Sequence, residues 1–421
     1  MTRISPSIPP DRQQTPTRAR YFPIPRHLFA AAKNRRVLTR SGWLYGGLAL
    51  FMGVAAANTQ ANILFAVFGL MLGMFLASGV LGSLVLKKLV VTRALPGQMV
   101  AGQSASLVYE CANRKRFWPT MSVRISEVDA GSIFRRKPLA YLPHLAARSQ
   151  TSITIDLTPR CRGVLKLDAI DISTGYPLGF AVRTHTVGQR ESMVVFPALG
   201  RVDDRLMRMC RAADASGATM RPRGGGQDEF YGVQEFRTGQ NPRWIYWRRS
   251  ARTGVLVSRE MTHVSPPRIV VLVDTQQTPG GADATSVERT IAMAATLANS
   301  ALEQGLSVGL AAPHPGGQAD SEHIDDWVMI APTRGKRHRL DLLAALARLP
   351  VNSDLPAERL IEVARDLTSG GTTAVLLTPR QLEIHLADRV RGSMLVIQTN
   401  STQAADWFHF DPGIQFEAMR P

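Results

Sequence analysis

The chain has 421 residues, 45% hydrophobic and 20% charged, ordinary globular usage that excludes a wholly disordered polypeptide. Its 50 Lys+Arg against 33 Asp+Glu give a net charge of +17, which favours anionic partners: a lipid surface, nucleic acid or an acidic protein. Three cysteines, Cys111, Cys161 and Cys210, cannot all pair and lie far apart, so a disulfide framework is excluded and a reducing compartment fits.

Residues 1–42 hold nine Lys/Arg against the single acid Asp11, and the first 25 residues carry six prolines. Such a segment buries too little apolar surface to offset its chain entropy. Residues 1–40 therefore read as a disordered basic tail. No charge occurs between Trp43 and Leu86, and the run breaks only at Asn58-Thr59-Gln60-Ala61-Asn62. At about 1.5 Å per residue, Ile63–Leu86 makes roughly 36 Å of helix, enough for a tilted crossing. The first segment, Trp43–Ala57, reaches spanning length only with its flanks. Basic residues precede the first segment, Lys87, Lys88 and Arg93 follow the second, and the turn has none. That pattern predicts a two-helix transmembrane hairpin over 41–87 with both ends in the cytoplasm.

Residues 88–200 read as short strands with Gly and Pro punctuation, an antiparallel β-sandwich. Ser152–Thr158 alternates with period two. Leu165, Leu167 and Ala169 alternate and then Ile170 and Ile172 continue out of phase, a slip that predicts a bulge. Residues 201–265 read as a linker helix, a Gly-rich loop and an Arg/Trp-rich stretch. Gly224-Gly225-Gly226 lacks the Gly-Lys-Ser/Thr ending of a phosphate loop and reads as a hinge. Residues 266–421 alternate strand and helix. The first strand, Ile269–Val273, is continuously apolar, as a strand covered on both faces must be. A doubly wound α/β domain follows, with any site at the carboxyl ends of its strands.

Two stretches could carry chemistry. Asp274 ends the first α/β strand, and with Thr278 it could hold a hard cation through oxygen or simply cap the loop. Glu235–Arg252 packs Trp244, Tyr246 and Trp247 among five arginines. It reads as a structural clasp with the tryptophans between domains and the arginines on local acids, as a protein-docking surface, or as a base-stacking basic patch. No zinc, redox, nucleophile-elbow or dinucleotide motif is present.

The residues Glu235, Gly239, Arg243, Ile245, Trp247, Ser250, Ala251 and Arg252 resemble the long motif of the bacterial domain of unknown function 58 family, with Phe236 and Gln240 departing from it. Tyr176–Phe180 and Val194–Pro197 are similar to its β-domain signatures. The resemblance implies that the last domain is like a von Willebrand factor A domain. It also implies that Asp274, Gln276 and Thr278 stand where a metal-ion-dependent adhesion site would be. That site is degenerate, because Gln276 replaces a hydroxyl and Arg380 stands where a carboxylate would help. No cofactor is therefore expected, and Mg²⁺ is the one ion the resemblance offers. It further implies an inner-membrane, two-pass protein with most of its chain cytoplasmic. Its implied partners are a MoxR-type AAA+ ATPase and a transglutaminase-like membrane protein, without nucleic acid. In that role Glu235, Gly239, Arg243, Trp247, Ser250 and Arg252 form the interaction motif of an adaptor for assembly or remodelling of an envelope complex. An envelope-associated hydrolase and a basic binder of anionic lipid or nucleic acid are the competing readings, and no catalytic constellation supports an enzyme.

Overall fold

The computed structural model describes residues 30–128, 133–217, 229–237, 241–262, 267–276, 283–314, 326–353, 355, 357–364, 367, 372–380 and 394–416. The first element corrects the sequence reading. Within the stretch taken for a disordered tail, Ala30–Leu38 forms strand β1, and only residues 1–29 lie outside the described chain.

Helices α1 (Arg40–Thr59) and α2 (Asn62–Leu86) follow. Thr39 caps α1 by accepting from the Gly42 amide at 3.0 Å. Gln60, in the left-handed region at φ 51°, closes it. Tyr45 donates to the Met71 carbonyl at 3.1 Å and Phe68 lies against Gly53. Low numbers therefore meet high ones, and the two helices run side by side in opposite senses. Asn62–Leu86 is long and apolar enough to cross a membrane, and only 11% of its most apolar window is buried within the protein.

The next strands are β2 (Leu89–Ala94), β3 (Met99–Val100), β4 (Ala105–Asn113), β5 (Thr120–Glu127), β6 (Leu139–Leu145), β7 (Gln150–Leu157), β8 (Gly163–Thr174) and β9 (Ala181–Phe196). They make two sheets, ordered β1-β9-β8-β5-β6 with β3 beside β9, and β2-β4-β7. Inward residues of both, such as Leu107 and Tyr109 from β4 and Val123, Ile125, Leu165 and Ile172 from β5 and β8, share one core. The bulge predicted from the slip in β8 is present: the β8–β9 register shifts between Leu167 and Ala169, so Leu167 and Ile170 both point inward.

A charged network crosses this core. Arg93 meets Glu127 at 2.5 Å and Glu191 at 3.0 Å, and donates to the carbonyls of Leu167 and Gln189. Tyr109 donates to Glu127 at 2.8 Å. Burial, then the Glu127 charge, pushes the phenol far above its ordinary value. Every member has a partner, the condition under which buried charge is tolerated.

The remaining chain builds β10 (Arg201–Val202), α3 (Asp204–Gly217), β11 (Glu229–Glu235), a 3₁₀ turn (Pro242–Trp244), α4 (Trp247–Thr253) and β12 (Val257–Thr262). Then come β13 (Arg268–Val273), α5 (Ala284–Glu303), β14 (Ser307–Pro313), β15 (Trp327–Thr333) and α6 (Lys336–Arg348). The last elements are α7 (Ala357–Val363), β16 (Thr372–Thr378), β17 (Met394–Gln398), α8 (Thr402–Trp407) and β18 (Phe408–His409). Strand order is β15-β14-β13-β16-β17, parallel except for the edge strand β15. Ile269, Val271 and Val273 pack with α3, α5 and α6 on one face. Val270 and Leu272 pack with Leu360 and Ile361 of α7 on the other. Both faces are covered, which is why β13 reads as an unbroken apolar run. The strand–helix alternation also predicts a helix over Gln381–Arg389, which lies outside the described residues.

Candidate functional site

In strand order the chain departs to opposite sides from β13, to β14 and to β16. The carboxyl ends of β13 and β16 therefore flank the topological switch point, where open α/β sheets place their ligands. Asp274 follows β13 there and is 1% exposed. Its amide donates to the Leu377 carbonyl at 3.0 Å, which pins it to the neighbouring strand end. One carboxylate oxygen, Oδ1, accepts from the Gln276 amide at 3.0 Å. The other, Oδ2, accepts from Thr378 Oγ1 at 2.8 Å and from Arg380 Nε and Nη2 at 3.1 and 3.0 Å. Thr378 Oγ1 also accepts from the Arg380 amide at 3.2 Å, which locks the loop so that its guanidinium faces the carboxylate.

Residues that sequence reasoning missed complete the edge. Ser353 bridges to Gln276 and donates its amide to the Thr275 carbonyl. Thr399 hydrogen-bonds the Thr378 carbonyl and meets Thr290 of α5 at 2.7 Å. These hydroxyls sit far apart in sequence and form no spaced motif, so only the fold brings them together. Asp274 and Gln276 share this edge, while Thr278 lies outside the described residues.

These residues do not fit a resident divalent cation. The carboxylate already holds a guanidinium and a hydroxyl on Oδ2, and the pair is electrically neutral. Thr275 Oγ1 and Gln276 Oε1 are buried without a partner among the described residues, but two neutral oxygens offer little to a hard cation that must first displace Arg380. No group of three His, Cys, Asp or Glu side chains able to hold a metal occurs among the described residues. Among the described residues no histidine hydrogen-bonds to the carboxylate.

The Arg/Trp-rich stretch lies between β11 and β12, which pair antiparallel. Ser250 is its internal pin. The side-chain oxygen accepts from the Val257 amide at 2.8 Å and donates to the Tyr246 carbonyl at 3.1 Å, and Ser250 is buried. The Arg259 guanidinium stacks 4.6 Å from the Tyr246 ring centroid. Phe236 donates its amide to Leu256, and Gly254, at φ 75°, ends α4 in the left-handed region. This is a clasp closed on itself.

The clasp expected from the sequence places Trp244 and Trp247 between domains and the arginines on local acids, and for Trp247 that burial is corrected. Trp247 is 65% exposed, next to Val255 and Leu256 at 46% and 47%. Arg243, Arg248, Arg249 and Arg252 are exposed and form no ion pair among the described residues. Glu235 is exposed too, and Gly239 and Gln240 lie outside the described residues.

Fold and site together define a protein with an apolar helix and antiparallel β layers fused to a parallel α/β sheet. An ion pair closes the switch point of that sheet. The family model described as protein of unknown function DUF58 matches residues 232–374, so that segment is similar to the DUF58 family. The match takes in the Glu235–Arg252 motif and Asp274 and leaves both sandwich sheets and α2 outside it. No curated protein matches the sequence.

Proposed function

We propose that this is a membrane-anchored adaptor whose α1–α2 hairpin crosses the bilayer twice and leaves the folded sheets on the cytoplasmic side. In this reading the C-terminal sheet is a von Willebrand factor A-like module. It serves a MoxR-type AAA+ ATPase in assembling or remodelling an inner-membrane envelope complex, and a transglutaminase-like membrane protein belongs to the same assembly. The observation that carries the adaptor reading is the Trp247 surface. An exposed Trp, two exposed aliphatic side chains and four arginines that form no ion pair among the described residues stand on a self-closed clasp. Arg and Trp dominate binding hot spots, and exposing them without a partner is costly unless a partner arrives. The neutral Asp274–Arg380 pair supports binding over chemistry, since it offers neither a free base nor a nucleophile.

The anchoring rests on α2, on the basic residues at both outer flanks, and on Phe117 and Trp118. Those two rings are 76% and 56% exposed on the loop that receives the C-terminal end of α2, where interfacial aromatics belong. The test is affinity purification of the full chain in detergent. Wild type should recover the ATPase, and Trp247→Ala with Arg248→Ala should lose it while Arg205→Ala keeps it. Recovery of no ATPase by wild type sinks the reading. In intact cells, an impermeant thiol reagent should label Asn58→Cys in the turn and spare Arg205→Cys, and the reverse pattern sinks the topology. The three natural cysteines are buried and silent in that assay.

A further inference from the structure

At the C-terminal end of α2 the chain opens a cavity of about 750 Å³, lined by Arg35, Arg36, Lys87, Lys88, Arg114 and Arg183, with His185 beside them. No carboxylate lines it, and none of these six cations makes an ion pair among the described residues. A solvated cationic face ordinarily disperses its charges. Here the pairing register sets Arg36 directly opposite Arg183, and like charges opposed across two strands are destabilising. Burial, and then the Arg36 charge, lowers the Arg183 guanidinium from its ordinary value.

The helix dipole does not explain the cluster. Carbonyls near a helix C-terminus attract cations, but Arg183, which donates to the Gly79 carbonyl, and Lys115 already answer them. The Lys115 ammonium donates to Leu84, Val85 and Pro119 at 3.2, 2.7 and 3.1 Å. Lys87 and Lys88 are left over. Lys88 is held at φ 56°, a left-handed conformation that costs roughly 1–2 kcal/mol for a side chain with a Cβ and that glycine adopts freely. Leu86, Leu89 and Val90 add an apolar portion to the lining. Cations and apolar side chains lining one cavity match an amphiphile with an anionic head, and the volume is that of a small-ligand pocket.

We propose that this cavity seats the phosphate headgroup of an anionic phospholipid, with the glycerol and first acyl carbons against Leu86 and Leu89. The proposal rests on the reading that α2 spans the membrane, because only then does the cavity open at headgroup level. Basic clusters at the inner end of a spanning helix recognise such lipids, and β1 and β9 give this one a fixed shape.

The test is native mass spectrometry of the full chain in detergent, with phosphatidylglycerol or phosphatidylcholine added, or inorganic phosphate in competition. Wild type should retain one phosphatidylglycerol in preference to phosphatidylcholine. Lys87→Gln with Arg114→Gln should weaken retention by roughly twenty- to thirtyfold, taking about a fivefold effect for each charge. Arg248→Gln with Arg249→Gln should not change it. Equal retention of both lipids, or equal loss in the two double variants, overturns the proposal. Displacement by inorganic phosphate at matching concentration overturns the lipid as source and leaves a free-phosphate site. Alkaline carbonate extraction separates the two readings. Release of the protein from membranes overturns the anchoring itself, whereas a retained protein without lipid preference overturns this proposal alone.

Discussion

Asp274 and Arg380 show how one residue can close a site that a sequence pattern leaves open. A buried carboxylate must be paired, protonated or metal-bound, and here the fold supplies a two-nitrogen guanidinium contact from the next strand end. Arg380→Ala leaves the carboxylate buried without its counter-charge, and the expected loss is about 3 kcal/mol. Asp274→Asn should cost less, since an amide keeps the Gln276 contact and Arg380 retains access to solvent. Urea unfolding of the two variants checks the order, and added Mg²⁺ should leave the wild-type midpoint unmoved. The cysteines give a second prediction at this scale. Burial pushes the Cys111 thiol up to about 12 and Cys210 to about 11. The unfolded chain releases those protons from about pH 9. The folded state therefore holds more protons in between, and stability falls as the pH rises from 9 towards 11–12. Each thiol should account for about 1.4 kcal/mol of loss between pH 8 and pH 10. Cys111→Ala should flatten that decline, and a native protein that reacts with maleimide at pH 8 contradicts the burial.

Among the elements, glycines set how closely the apolar helices approach the sandwich. A Cβ on Gly42 would run into the Phe180 carbonyl oxygen, and one on Gly82 would lie 3.0 Å from that of Tyr176. Thr39 fastens the same junction by donating to the Gly179 carbonyl at 2.7 Å, and the Tyr45 ring stacks on Phe180 at 4.2 Å. Gly42→Ala should lift α1 off this surface at a cost of about 1–3 kcal/mol, the usual size of overpacking, whereas Gly46→Ala, with open space around it, should be silent. Thermal unfolding in detergent compares them, and equal midpoints contradict the docking. How far such elements can be read from sequence depends on what orders them. The β8 bulge is legible because both halves of the strand keep their own alternation and only the phase slips. Strand β13 is legible because burial on both faces leaves no polar position. Strand β1 is illegible: Ala30–Leu38 carries no period, and its order comes from the open edge of β9. Lys115 is illegible for another reason. A buried lysine that caps a distant helix end looks in sequence like any surface lysine, although burial lowers it to about 8.

At the scale of the whole molecule, the sandwich and the parallel sheet are joined by a buried charge that no sequence period announces. Arg162 reaches from the start of β8 to Glu288 of α5, and its other nitrogens donate to the carbonyls of Leu346 and Leu349 at 3.1 and 2.7 Å. Both side chains are nearly inaccessible, at 4% and 8%. Burial raises the Glu288 carboxyl and Arg162 opposes that rise, so the ionised pair persists only because each charge answers the other. The C-terminal segment adds a second tie. Arg201–Val202 pairs with Phe408–His409, Arg135 donates to the Gly413 carbonyl, and Ile414 and Phe416, partly buried, pack against the sandwich core. The adaptor role proposed above would call for this kind of stiff joint, because a flexible one dissipates displacement. Arg162→Ala should cost about 3–5 kcal/mol, since it strands Glu288, and should split a single unfolding transition into two as the layers lose their coupling. Arg162→Met with Glu288→Leu removes both charges together and should recover most of that loss, because replacing a whole buried pair by apolar volume is often neutral. Calorimetry of the three variants distinguishes the outcomes. A double variant as unstable as Arg162→Ala contradicts charge pairing as the basis of the joint and points instead to the carbonyl contacts at the end of α6.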